Sequence, residues 1–216
     1  MDNSRRKFIT SVAVSAAALS LPGMATADSL QSANQLKNTF DFVAGETGTW
    51  KITKISPFIG EAMALAPFLN IVPTTDFNTI SGKWTLRGQT SNLRYTTQEE
   101  KAAMDAVQAG LGRPEATMAA LIPIKKSDEW WMLAQDQRRA IFADKSDHTK
   151  VGMHYLPGVA RKLYHSRDIG EPFDFLTWFE YAPQHSDEFE ELVGKLRKTE
   201  EWKYVTREFD IRLVRA

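Results

Sequence analysis

Three of the chain's four histidines fall within thirty-three residues, His148 to Glu180 (HTKVGMHYLPGVARKLYHSRDIGEPFDFLTWFE), among basic side chains and two aromatic-rich runs. Imidazole ligates metals at neutral pH while a neighbour on its second ring nitrogen tunes it, so ligation is the chemistry this stretch would do. Cysteine is absent. That excludes disulfides, thiolate metal sites, iron–sulfur clusters and cysteine nucleophiles, and leaves His, Met, Tyr and carboxylates to hold any cofactor. There is no HExxH, no histidine pair at helical spacing and no His-rich tract, which disfavours zinc. GxSxG and glycine-rich phosphate loops are also missing, so hydrolase and nucleotide-binding readings have no local support.

Arg161 stands in the middle of a strand pattern, where alternation puts it on the same face as Val159 and Leu163. Mid-strand arginines are ordinarily solvated edge residues. With apolar neighbours on its own face, this one reads as a buried cation awaiting an anion. Trp130 and Trp131 are adjacent on a helix, about 100° apart, so at most one could stack on a given cofactor.

The elements that would position these residues are legible from about Thr49 onward. Residues 28–46 are polar and irregular and read as an arm, and Thr49–Phe58 reads as a strand. GEAMALAPFLNIV reads as a short helix interrupted at Pro67. SGKWTLRGQTSNLRYTT reads as two strands with a turn near residues 88–92. TQEEKAAMDAVQAGLG is a helix capped by Thr97, with Glu99 and Glu100 in its first turn. Residues 116–126 form a strand buried on both faces, and SDEWWMLAQDQRRAIFA a helix capped by Ser127 or Asp128. After a loop, DKSDHTKVG, come paired strands over 159–166 and 173–181. An amphipathic helix then presents Phe189, Leu192, Val193 and Leu196, and a last strand places Val205, Phe209, Ile211 and Leu213 on one face.

From residue 116 the order is strand, helix, strand, strand, helix, strand, the ferredoxin-like unit, and residues 49–126 can be read as an earlier copy. The expected fold is therefore α+β, with two ferredoxin-like modules, 47–116 and 117–216, sharing one continuous antiparallel sheet.

Composition sets outer bounds. With 27 basic and 27 acidic residues there is no basic field to hold nucleic acid. Residues 1–27 read as a twin-arginine leader: Arg5 and Arg6 precede a short apolar run, and Ala25-Thr26-Ala27 offers a cleavage site. Its removal takes away three basic residues and one acidic, leaving 24 and 26 and a net charge of −2. The expectation is a periplasmic protein with no membrane contact after leader removal, the precursor's partner being the twin-arginine machinery. An exported, cysteine-free chain with four histidines has the means to hold haem through a single axial histidine.

IPIKKSDEWWML, HTKVGMHYLPGVARKLYHSRDIGEPFDFLTWFEY and KTEEWKYVTREFDIRL together resemble the chlorite dismutase family of haem enzymes in its shorter, dimer-type variant. The similarity covers most of residues 81–215. In that family the axial histidine precedes a distal arginine by thirteen residues, a spacing met by His148 to Arg161 and by His154 to Arg167. The flanking VARKLYHS matches the first pair. The resemblance then implies haem b on His148, with Arg161 as the catalytic distal residue. It implies that Lys126 and Glu201 bond the proximal histidine network, and that Trp130, Trp131 and Tyr95 lie near the haem.

The same resemblance implies decomposition of chlorite to chloride and dioxygen through a ferryl intermediate and hypochlorite rebound, by a homodimer. Two alternatives belong to the same superfamily: a coproporphyrin-handling enzyme of haem synthesis, and a non-catalytic haem-binding protein. Members acting on haem precursors usually lack the distal arginine, so the presence of Arg161 favours chlorite.

Overall fold

Period-two alternation in the C-terminal strands sends successive side chains into two different cores. In the computed structural model, which describes residues 36–77, 82–90 and 95–216, Ala119 and Leu121 of one strand join a core that receives side chains from all eight strands. Their neighbours Ala120, Ile122 and Ile124 join a second core, against helices. A strand buried on both faces reads as a continuous apolar run, and MAALIPI is one.

The strands are β1 (Thr39–Gly45), β2 (Trp50–Ile59), β3 (Phe68–Pro73), β4 (Trp84–Gln89), β5 (Met118–Lys126), β6 (Val159–His165), β7 (Phe175–Tyr181) and β8 (Val205–Arg215). They close into one barrel in the order β1-β3-β2-β8-β5-β7-β6-β4, every pairing antiparallel. Closure between β4 and β6 rests on the single registered pair Gln89 and His165. Phe42, Trp50, Trp178 and Tyr164 fill the interior with edge-to-face and tilted contacts, ring centroids 5.0–6.2 Å apart.

The helices are α1 (Gln98–Val107), α2 (Asp128–Met132), α3 (Gln135–Arg139), α4 (His148–Tyr155) and α5 (Ser186–Leu196). Thr97 caps α1 as expected, and the structure adds a capping box: Thr97 Oγ1 accepts from the Glu100 N–H, and the Glu100 carboxylate accepts from the Thr97 N–H. α5 buries the four apolar residues expected of it.

Four expectations are corrected. Thr39–Gly45, assigned to the arm 28–46, is barrel strand β1. Residues 61–67 are not helical, because Ala64 and Leu65 give their carbonyls to the side chains of Trp84 and Lys83, and Pro67 its carbonyl to Ile52 N–H. The loop expected around residue 148 is helix α4, so His148 opens a helix. Val205 does not share the face of Phe209, Ile211 and Leu213: a register shift at Lys125/Lys126 turns it to the second core. The leader 1–27, the first part of the arm and the turn over residues 91–92 lie outside the described residues. Among those described, no helix is long and apolar enough to cross a membrane.

The turn between β1 and β2 is tightly constrained: a Cβ on Gly48 would stand 2.6 Å from the Leu69 carbonyl oxygen. Gly48→Ala should therefore lower stability by about 1–3 kcal/mol, the usual cost of overpacking. Urea unfolding monitored by tryptophan fluorescence would check it.

Candidate functional site

Three elements distant in sequence bring an imidazole, a carboxylate and an ammonium together away from water. Lys126 ends β5 at its register shift with β8; Lys125 is exposed while Lys126 is turned inward, on the face that alternation shares with Ile122 and Ile124. Glu201 lies in the 3₁₀ turn Glu200–Tyr204 that leads into β8. His148 is the first residue of α4. Lys126, Glu201 and His148 are only 3%, 6% and 9% exposed.

The Nδ1 of His148 lies 2.7 Å from Glu201 Oε2, and Lys126 Nζ donates to Glu201 Oε1 at 2.9 Å and to the Glu201 carbonyl at 3.2 Å. The Glu201 N–H is taken by Ser146 Oγ at 3.0 Å. Burial pushes the Glu201 carboxyl up, but the charges of His148 and Lys126 and their hydrogen bonds outweigh it, leaving its pKa at about 2. The carboxylate is thus ionised. Lys126 Nζ also sits 4.7 Å from the Trp130 ring centre and 5.3 Å from that of Trp202. The His148 ring is nearly parallel to Phe142 (4.4 Å, 23°) and to Trp202 (6.3 Å, 22°).

A cavity of about 600 Å³ opens beside this network, with His148, Glu201, Lys126, Arg161 and Tyr95 in its wall. Its apolar surface comes from Ile122, Ile124, Phe175 and Phe179, the strand residues that face the helices. A mostly apolar hollow of this size with a few convergent polar groups is what a bound cofactor requires.

Arg161, on β6, shares the face of Val159 and Leu163 as alternation predicts; both belong to the second core. Its backbone carbonyl accepts from Gln108 Nε2 at 3.1 Å. Among the described residues its guanidinium has no hydrogen-bond or carboxylate partner. What surface it exposes faces the cavity. Burial lowers its pKa from the ordinary 12.5, opposed only by the more distant charge of Glu201.

Tyr95 lines the cavity and packs edge-on to Trp130 at 5.9 Å. Trp130 is fully buried behind it, with its indole N–H unpaired. Trp131 stacks on Phe175 at 6.0 Å, has the guanidinium groups of Arg167 and Arg138 4.3 and 5.4 Å from its ring centre, and donates to Asp174 at 3.3 Å. Neither tryptophan contributes to the cavity wall itself. His165 reaches the same cavity, whereas His154 and His185 line a separate surface hollow. Sequence reasoning missed Trp202 and Glu208, both of which line the main cavity. The signals were present: Trp202 follows Glu201 directly, and Glu208 with Asp210 puts two carboxylates on one face of a strand whose other face is apolar.

Fold and site together define an α+β barrel protein with a cavity that pairs a carboxylate-held imidazole with an arginine unpaired among the described residues. The chain belongs to the chlorite dismutase family, whose model matches residues 28–215. It is 32% identical over 153 residues to the chlorite dismutase of Ideonella dechloratans, covering 68% of this chain and 50% of that protein. The chain thus spans about half the length of that relative. A dimeric chlorite dismutase from Nitrobacter winogradskyi is 58% identical, with TM-score 0.78 over 82% of this chain and 99% of that one. The chlorite dismutase from Candidatus Nitrospira defluvii in complex with imidazole is 30% identical, with TM-score 0.51 over 61% and 54% of the two chains.

Breaking a buried ion pair costs about 3–5 kcal/mol, because the remaining charge is stranded. Glu201→Leu should destabilise the cofactor-free protein by about that amount, and adding Lys126→Met should restore part of it. Denaturant midpoints of the two single variants and the double variant would test this; additive losses would contradict it.

Proposed function

We propose that this protein is a haem b enzyme that decomposes chlorite to chloride and dioxygen. The observation that carries the reading is the pairing, in one cavity, of a buried imidazole held by an ionised carboxylate with a half-buried guanidinium that has no partner among the described residues. The residues fit a haem. Nδ1 of His148 is engaged by Glu201, so Nε2 is the nitrogen left for iron, and the wall beside it is apolar enough for a porphyrin. Haem, when bound, would supply the redox-active iron needed for oxygen-atom transfer, the chemistry by which ClO₂⁻ could become Cl⁻ and O₂.

The chain's own residues do the rest. His148 would hold the iron, and Glu201, kept ionised by Lys126, would accept the hydrogen bond of the Nδ1 proton and make the imidazole a stronger donor. Arg161 attracts chlorite and retains hypochlorite until it reacts. A guanidinium stays charged and presents planar donors, so it holds both anions without acting as an acid. At roughly 4 Å and an effective dielectric near 20, one such pair is worth about 4 kcal/mol, enough to decide retention against escape. Tyr95 would stand beside the haem, with Trp130 packed behind it and Trp131 behind Phe175.

Further readings rest on the same basis. Each half of the barrel lays out its strands in the order fourth, first, third, second (β4-β1-β3-β2 and β8-β5-β7-β6). That supports two ferredoxin-like modules, with packed helices in the second. The 58% identical relative is described as dimeric, which supports a homodimer. Export by the twin-arginine route to the periplasm, with cleavage after Ala27, follows from the leader sequence.

Haem-loaded mature protein should release dioxygen when chlorite is added, read with an oxygen electrode. Haem binding without dioxygen would point to the non-catalytic reading, and preference for iron coproporphyrin to the haem-synthesis one. His148→Ala should lose the Soret band, while His154→Ala keeps it. Arg161→Ala should bind haem yet turn over more slowly, leak hypochlorite and bleach before chlorite is exhausted. A methionine trap should prolong its activity more than the wild type's. Equal dioxygen yield with no trapped hypochlorite would remove Arg161 from the mechanism.

A further inference from the structure

Glu208 is fully buried on β8, yet it has no part in the proximal network or in the handling of the anion. Its two oxygens are divided. Oε1 accepts from Arg197 Nε and Nη2, at 2.8 and 2.7 Å, and Oε2 accepts from the indole N–H of Trp202 at 2.6 Å. Arg197 has a second carboxylate, Asp210, at 2.7 Å, so the indole bond is not needed to balance charge. What the bond does is fix an indole plane. That plane lies 22° from the His148 ring at 6.3 Å, and its face is 5.3 Å from Lys126 Nζ. Trp202 therefore borders both ends of the His148–Glu201–Lys126 network without bonding to any member of it.

We propose that Glu208 is a positioning residue for His148, acting through Trp202 to fix the plane of the imidazole. The proposal rests on the reading of His148 as the iron ligand. A hydrogen bond at Nδ1 aims the imidazole but leaves its plane able to tilt as the Cα–Cβ and Cβ–Cγ torsions turn together. A neighbouring parallel ring that cannot turn removes that freedom. Phe142, at 4.4 Å, packs against His148 by contact alone, whereas Trp202 is anchored by a charge-assisted hydrogen bond. The anchor is itself held by a line of ion pairs, from Glu190 through Arg212, Asp210 and Arg197 to Glu208. Of these, Glu190 is exposed and Glu208 is sealed, so the line reaches from the surface to the ring beside His148.

The test uses the mature haem-loaded protein and the variants Glu208→Gln, Trp202→Phe and their combination. The paramagnetic resonance of ferric haem reports the plane of its axial imidazole. Both single variants should alter the spread of the in-plane g-values in the same sense. Haem transfer to apomyoglobin should quicken about tenfold in each, the scale of an outer partner of a metal ligand. The double variant should stay near tenfold, since the two residues act as one unit. A hundredfold effect in the double variant, an unchanged resonance, or a change in Glu208→Gln that Trp202→Phe does not reproduce would overturn the proposal. If Glu208→Gln does not fold, Trp202→Phe decides alone, because it leaves the Arg197 pair intact: an unaltered resonance there is a refutation. Failure of the underlying reading would look different, with the wild-type ferric spectrum surviving in His148→Ala.

Discussion

The Lys126–Glu201–His148 network is the constraint around which the C-terminal half is built. A buried ammonium and a buried carboxylate are tolerable only in contact, since either alone would cost several kcal/mol. Contact at 2.9 Å fixes the end of β5 against the turn before β8, and contact at 2.7 Å fixes the start of α4 against the same turn. Those turns and strand ends have little freedom left. Alternation alone carries Lys126 to the helix side with Ile122 and Ile124, and the extra residue that β8 accommodates opposite Lys125/Lys126 turns Val205 to that same side, next to the turn that holds Glu201.

Much of this arrangement was legible in the sequence. Apolar alternation gave β5 to β8 and placed Arg161 on the face that proved to be the cavity wall, and the spacing of Thr97 and Glu100 marked the start of α1. The resemblance supplied His148, Lys126 and Glu201, which the structure then brings within hydrogen-bonding distance of one another. The failures share a cause, which is pairing across long separations. β1 was hidden because Thr39 and Asp41 are polar, yet both are buried: Asp41 meets Arg87, forty-six residues on, at 2.6 Å. Residues 61–67 have helix-forming composition, but their carbonyls are taken by Trp84 and Lys83, which local propensity does not register. α4 contains Gly152 and opens after Asp147 in a left-handed conformation, so its local signals are those of a loop. What anchors it is Glu201, fifty-three residues away.

Two mid-strand arginines in adjacent strands show how structure separates a structural cation from a functional one. Both Arg87 on β4 and Arg161 on β6 occupy positions where sequence pattern alone would expect an edge residue or a buried charge. Arg87 is 5% exposed and its demands are met: Asp41 accepts from Nε and Nη2, and the Phe77 carbonyl from Nη1. Hydrogen bonding to Asp41 raises its pKa, so the folded protein favours the charge it carries. Arg161 is the reverse, because burial lowers its pKa and no carboxylate touches it. A half-buried guanidinium with no partner among the described residues lowers stability, and an anion is what would relieve it. The cavity with room for one is the cavity whose wall also holds His148. The chemistry of the site is therefore written in what Arg161 lacks as much as in what His148 has.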